Sequence, residues 1–99
     1  MANREKIYFV VYDIAKSKRW RKLYRTLQGY GEWVQLSVFQ CRLTRTRYAK
    51  LIAECDSLIN HTEDHIVFID VGNAESLKPR IVSLGKRTVN PIEREVVII

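Results

Sequence analysis

The first apolar segment of the chain, KIYFVVYD, runs from Lys6 and closes on a carboxylate, Asp13. Seven residues, six of them of strand-forming type, lead to one acid, and a cation-rich stretch follows directly. A carboxylate in that place has two uses. It can be spent locally, on a lysine or on backbone amides at the strand end. Or it can hold a hard divalent ion such as Mg2+ or Mn2+, which takes one or two carboxylates and completes its shell from water and phosphate oxygens. One aspartate per chain makes a thin site. A two-fold pairing that brought two Asp13 side chains together would give the ion a second carboxylate, and the ion would offset their repulsion. Asp70 also ends an apolar segment and is a weaker candidate. His61 and His65 flank an acidic turn, where neither is placed as a base or as half of a zinc pair. There is no Ser/His/Asp or Cys/His pattern.

The second group is basic. Lys16, Lys18, Arg19, Arg21, Lys22 and Arg25 crowd a stretch, Ile14 to Gly31, that contains no acid. A solvated helix face ordinarily mixes signs so that residues four apart can pair. Here the charge has no local partner, which suits a phosphate backbone. Arg45, Arg47 and Lys50 crowd the first turns of a second helix, where the helix dipole favours acids instead. The chain carries a net charge of +6 and a pI near 9.6, so a polyanionic partner is expected, with an anionic membrane surface the weaker alternative. No zinc-finger, homeodomain or aromatic RNA-recognition strand pattern is present, so the reading is backbone contact rather than base readout.

These groups need elements to position them. Along Lys6–Asp13, Ile7, Phe9 and Val11 alternate with Tyr8, Val10 and Tyr12, so both faces of the strand are apolar. A sheet with helices on one side needs only one such face; a second copy of the chain is the expected cover for the other. Trp20, Leu23, Tyr24 and Leu27 form one helical stripe, with Ser17 as the expected N-cap and Gly29 as a left-handed C-cap. Glu32 to Leu43 is extended, as one long strand or two with a bend near Leu36–Ser37. Thr44 caps a second helix whose stripe is Tyr48, Leu51, Ile52, Cys55 and Leu58–Ile59. Asn60–Asp64 is a turn, His65–Val71 a strand apolar on both faces, Glu75–Leu77 a helical turn, and Arg80–Leu84 a short strand. Lys86–Pro91 is a basic loop. The tail ends in VVII, which reads as a strand added to a sheet edge, the partner's included.

This order predicts an α+β fold: a ferredoxin-like βαββαβ sandwich with a C-terminal strand extension, and the second apolar face of its sheet makes a homodimer the expected state. One domain fills residues 1–99, its core about 6–84 and its dimer-pairing tail about 92–99. A chain of 99 residues buries only about 60–65% of its unfolded surface, so a partner would help it. The two cysteines, Cys41 and Cys55, do not form a C-x-x-C pair and read as reduced structural thiols. No apolar run reaches the ~18 residues of a membrane helix, and no targeting segment is evident, so a cytoplasmic location with no membrane partner is expected.

Taken together, Tyr12–Asp13 at a strand end, Arg19 and Arg21 on the basic helix, Gly29–Tyr30–Gly31, Gln35, Ser37–Val38–Phe39 and Cys41 resemble the CRISPR-associated protein 2 family. The likeness runs without a gap from Ile7 to Leu43, and in layout to Ile99. It implies a ferredoxin-like homodimer in which Asp13 of each subunit faces the dimer axis and can share a divalent ion. It also implies that Tyr12, Arg19, Arg21, Ser37 and Phe39 lie near the same cleft, so that Tyr12, Asp13, Ser37 and Phe39 are the candidate catalytic residues. Gln35, Ser37 and Phe39 would form one alternating set facing that cleft; a second use for them is to satisfy backbone groups at a strand bend. The family usually places acids just after the aspartate, whereas this chain has Lys16 and Ser17, which favours phosphate binding beside the site.

Three functions remain open at this point. The first is a nucleic-acid-binding subunit of CRISPR spacer acquisition with metal-dependent endonuclease activity on RNA or duplex DNA. The second is a non-catalytic DNA-binding scaffold bridging integrase dimers of CRISPR-associated protein 1. The third is a toxin-like ribonuclease. An inactive arrangement of the aspartates would require a hinge, expected in the loop after the first strand or at 85–91.

Overall fold

The computed structural model describes residues 4–77, 81–85 and 96–98. Its elements are β1 (Glu5–Asp13), α1 (Ser17–Gln28), β2 (Gly31–Gln35), β3 (Val38–Thr44), α2 (Arg45–Leu58), β4 (His65–Asn73), β5 (Ile81–Ser83) and β6 (Val96–Ile98). The first four strands pair in the order β2–β3–β1–β4, all antiparallel, as a ferredoxin-like βαββαβ sandwich requires. The extended stretch is two strands, turning at Leu36–Ser37. β5 and β6 pair in parallel as a separate two-stranded sheet. The tail therefore finds its edge on this chain's own β5. The basic 86–91 loop lies outside the described residues.

Both helices pack on one face of the large sheet. Tyr8, Val10 and Tyr12 of β1 meet Phe39, Cys41 and Leu43 of β3, and Leu23, Leu27, Leu51 and Cys55 close the core from the helices. Trp20 and Tyr24 flank it, stacked at 5.3 Å. Tyr8 and Tyr48 stack at 3.8 Å on the same side. Gly31 admits β2 to this layer. A Cβ there would stand 2.2 Å from the Gln40 carbonyl oxygen and 2.5 Å from Cys41 Sγ, so any other residue would push the edge strand off the sheet.

Two helix ends differ from expectation. The α1 N-cap is Lys16, with no side-chain cap bond, and Ser17 is already inside the helix. Gly29 closes α1 at φ −77°, in the right-handed region. Thr44 caps α2 as expected, its Oγ1 accepting from Arg47 N at 3.2 Å. Both cysteines are free and buried. Burial pushes the Cys41 thiol up to about 12 and that of Cys55 to about 11, so neither is a thiolate nucleophile near neutral pH. Among the described residues no helix is long and apolar enough to cross a membrane.

The sheet's other face is covered in part: Ile7 and Gln40 on it are fully buried, while its β4 side stands open. Cross-strand partners share a face in an antiparallel pair. Phe9 opposite Ile69, and Val11 opposite Val67 and Val38, therefore lie away from the helices. Val67, Ile69 and Val71 are 38–45% exposed, and β4 is a sheet edge.

Candidate active site

β1 and β4 present Asp13 at the end of this open face. Asp13 pairs with His65 in the register, so the two side chains leave the same side of the sheet, both exposed. The strand end is anchored by Tyr12 N, which donates to the Ser37 carbonyl at 3.0 Å. Among the described residues Asp13 has neither a hydrogen-bond nor an ion-pair partner. The local use of this carboxylate, on a lysine or on strand-end amides, is thus not taken up. His65, passed over in the sequence, is its cross-strand neighbour; only the β1–β4 register brings them together.

Asp70 is disposed otherwise. It pairs with Lys6 at 3.1 Å and stands opposite Tyr8, five register steps from Asp13, or about 17 Å along the strand. The two acids cannot share an ion within one chain. Among the described residues no group of three or more His, Cys, Asp or Glu side chains could hold a metal. One chain therefore offers an ion the Asp13 carboxylate, a hard oxygen donor suited to Mg2+ or Mn2+ when water and phosphate complete the shell.

Tyr12 and Phe39 require correction. The resemblance implies a place near the cleft for both, yet they are 2% and 0% exposed, in the core beneath the helices. Tyr12 Oη donates to the Leu36 carbonyl at 3.0 Å, and burial pushes its phenol up to about 12. It fixes the β2–β3 turn and has no accessible proton to exchange near neutral pH. Ser37 sits half-buried in that turn, where its carbonyl holds the end of β1. Gln35, Ser37 and Phe39 do not share a face: Gln35 pairs with Val38, Ser37 lies in the turn, and Phe39 points to the helices.

The basic helix divides as well. Lys16, Lys18, Arg21, Lys22 and Arg25 are exposed. Arg19 is engaged. Its Nε donates to Asp64 Oδ2 at 2.7 Å, and its Nη2 to Glu63 Oε1 at 2.7 Å and Asp64 Oδ1 at 3.2 Å. Asp64 also accepts from Ala15 N at 2.9 Å and Asn60 N at 2.8 Å, and its side chain is fully buried. The Arg19 hydrogen bonds, helped by the backbone amides and opposed by burial, hold its carboxyl well below the usual carboxylate range. On α2, Arg47 stacks over Tyr30 at 4.7 Å and donates to the Gly29 carbonyl, while Tyr30 hydrogen-bonds Glu54.

The Asp64 carboxyl is depressed in the folded chain, so its stabilisation is complete above the ordinary carboxylate value of about 3.9 and is lost as pH falls toward its own lower value. Asp64→Asn should cost about 2 kcal/mol at pH 7, the scale of a buried carboxylate's charged hydrogen bonds. Urea melts from pH 7 to 2.5 should show the gap to wild type closing below about pH 4.

With this geometry in place, the family model for CRISPR associated protein Cas2 matches residues 6–78. The chain belongs to the Cas2 family. It is 50% identical over 95 residues to a Geobacter sulfurreducens protein named CRISPR-associated endoribonuclease Cas2, covering 96% of this chain and 99% of the relative. It is 46% identical over 98 residues to a Rhodospirillum rubrum protein named CRISPR-associated endoribonuclease Cas2 1, covering 99% and 95%. The crystal structure of Streptococcus pyogenes Cas2 superposes with a TM-score of 0.59 at 28% identity, over 63% of this chain and 81% of that one. The Cas2 match contains β1 from Lys6 on, β2 to β4 and both helices, and so the segments that carry Asp13 and the basic stripe.

Proposed function

We propose that this chain is a nucleic-acid-binding subunit of CRISPR spacer acquisition that cleaves phosphodiester bonds in RNA or duplex DNA with a divalent metal held at Asp13. The observation that carries this reading is the unspent carboxylate: a paired strand end presents Asp13 to solvent, followed in the chain by an exposed cationic helix. Relatives of nearly the same length are named endoribonucleases, which supports the reaction class. In such a hydrolysis water attacks phosphorus, and the P–O bond to the leaving strand breaks. A bound Mg2+ or Mn2+ would lower the pKa of that water and stabilise charge on the phosphoryl oxygens. Asp13 would hold the ion, with the same residue of a second copy as the second carboxylate. Lys16 would stand beside the phosphate, and Lys18, Arg21, Lys22 and Arg25 would track the strand. Ser37 serves the site through its backbone, by anchoring the end of β1.

A non-catalytic scaffold, joining CRISPR-associated protein 1 integrase dimers, is the second reading. It is favoured by the single carboxylate per chain and by a binding stripe that does not need it. Both readings require the stripe. Residues 18, 21, 22 and 25 recur at helical spacing on the exposed side of α1. Reversing Arg21 and Arg25 to Glu should weaken duplex binding about 100-fold at 0.15 M salt and flatten the log K against log salt slope by about 2. Fluorescence anisotropy across a salt series measures both. Unchanged affinity would remove the nucleic-acid role from α1. Cleavage of labelled RNA and duplex DNA, with magnesium and with EDTA, separates enzyme from scaffold.

A further inference from the structure

The buried carboxylate of Asp64 accepts four hydrogen bonds, from Ala15 N, Asn60 N, and Arg19 Nε and Nη2. Those donors come from the β1–α1 loop, the α2–β4 turn and the first turn of α1. Ala15 is two residues beyond Asp13, and Asp64 is the residue before His65, the cross-strand partner of Asp13. One side chain thus ties the loop leaving Asp13 to the turn entering His65, 45 residues away from Arg19 along the chain. Glu63 braces the same guanidinium from outside. A helix of unpaired cations would leave Arg19 to a phosphate; here two of its three nitrogens are bonded to carboxylates.

We propose that Arg19 and Asp64 form a positioning pair that fixes the Asp13 carboxylate for the reaction, and that Arg19 is not a contact to nucleic acid. The loop after β1, the natural place for a hinge, is closed by this clamp. The proposal rests on the reading of Asp13 as the catalytic carboxylate. A carboxylate at a strand end has a fixed backbone only if the residues after it are held. Pairing ends at Asp13, and the next anchored amide is Ala15 N. Loss of that anchor frees the chain immediately after the reacting group, where small displacements are costly to rate.

The test compares wild type with Asp64→Asn, Arg19→Lys and Arg19→Gln, at a temperature where circular dichroism shows all four folded. Single-stranded RNA and magnesium are the substrate and metal. The expected result is a fall in kcat of about 10-fold or more in Asp64→Asn and Arg19→Gln, with KM and the salt slope of RNA binding unchanged. Arg19→Lys, which keeps the charge but not the fork, should recover part of it. A salt slope flatter by about 1 in Arg19→Gln would instead make Arg19 a phosphate contact and overturn the proposal. So would unchanged kcat in folded Asp64→Asn. Should wild type not cleave at all, the endonuclease reading fails, and the clamp is judged by NMR. Asp64→Asn must then speed Ala15 amide exchange and move the Asp13 carboxyl 13C signal; unchanged spectra overturn it.

Discussion

Asp13→Asn should lower magnesium-dependent cleavage by about 10²–10³-fold, the scale on which enzymes lose rate when one charge-stabilising group is removed. The variant should melt with wild type and bind RNA and duplex DNA at least as tightly. The reason is local. The Asp13 side chain is exposed at the end of β1 and makes no bond among the described residues, so its removal leaves no buried partner unsatisfied. What it loses is the hard oxygen donor. Asp70→Asn is the control, since that carboxylate pairs with Lys6 about 17 Å away along the strand. It should keep full activity. Cleavage equal in wild type and Asp13→Asn would remove Asp13 from the chemistry, and cleavage surviving EDTA would remove the metal. Equal binding with no cleavage by either would leave the scaffold.

The sequence made the strand and helix order legible because each element carries its own period. Alternation marked β1, the four-residue stripe marked α1, and Thr44 marked the start of α2. It could not say which face of β1 meets the helices. Tyr8, Val10 and Tyr12 are no more apolar than Ile7, Phe9 and Val11, so alternation was satisfied either way. Nothing in the alternation therefore opposed the place near the cleft that the resemblance implies for Tyr12 and Phe39, and both are core. The pairing of Arg19 was illegible for a different reason. The acid-free stretch around it is a fact of local sequence, but its partners, Glu63 and Asp64, arrive from the α2–β4 turn. Long-range ion pairs leave no mark in local spacing. The juxtaposition of Asp13 with His65 is likewise a matter of register. An acid at the first position before an apolar strand was the one available signal for Asp64, and it suits a turn as readily as a clamp.

The largest expected effect on assembly comes from the open face of the sheet. Phe9 and Val11 lie half-buried there, beside Val38, Val67 and Ile69. Ile69 is 45% exposed at the middle of this face, and β4 carries an edge that no described strand occupies. A second copy packed on it would bury about 800 Å² per subunit in an interface of standard size. It would also bring the Asp13 end of each sheet to a shared boundary. Ile69→Asp places a carboxylate in that apolar contact, where burial without a partner is prohibitive. Light scattering after size exclusion should show wild type as a dimer and Ile69→Asp as a folded monomer, with self-association weakened by about 10³-fold or more. Thr46→Asp, exposed in the first turn of α2 where an acid suits the helix dipole, should remain dimeric. If Asp13 of both subunits is needed, cleavage falls with the dimer, and mixing Ile69→Asp with Asp13→Asn restores nothing. A dimeric Ile69→Asp would place the interface elsewhere. A monomer that still cleaves would show that one carboxylate is enough, and that the apolar face serves assembly alone.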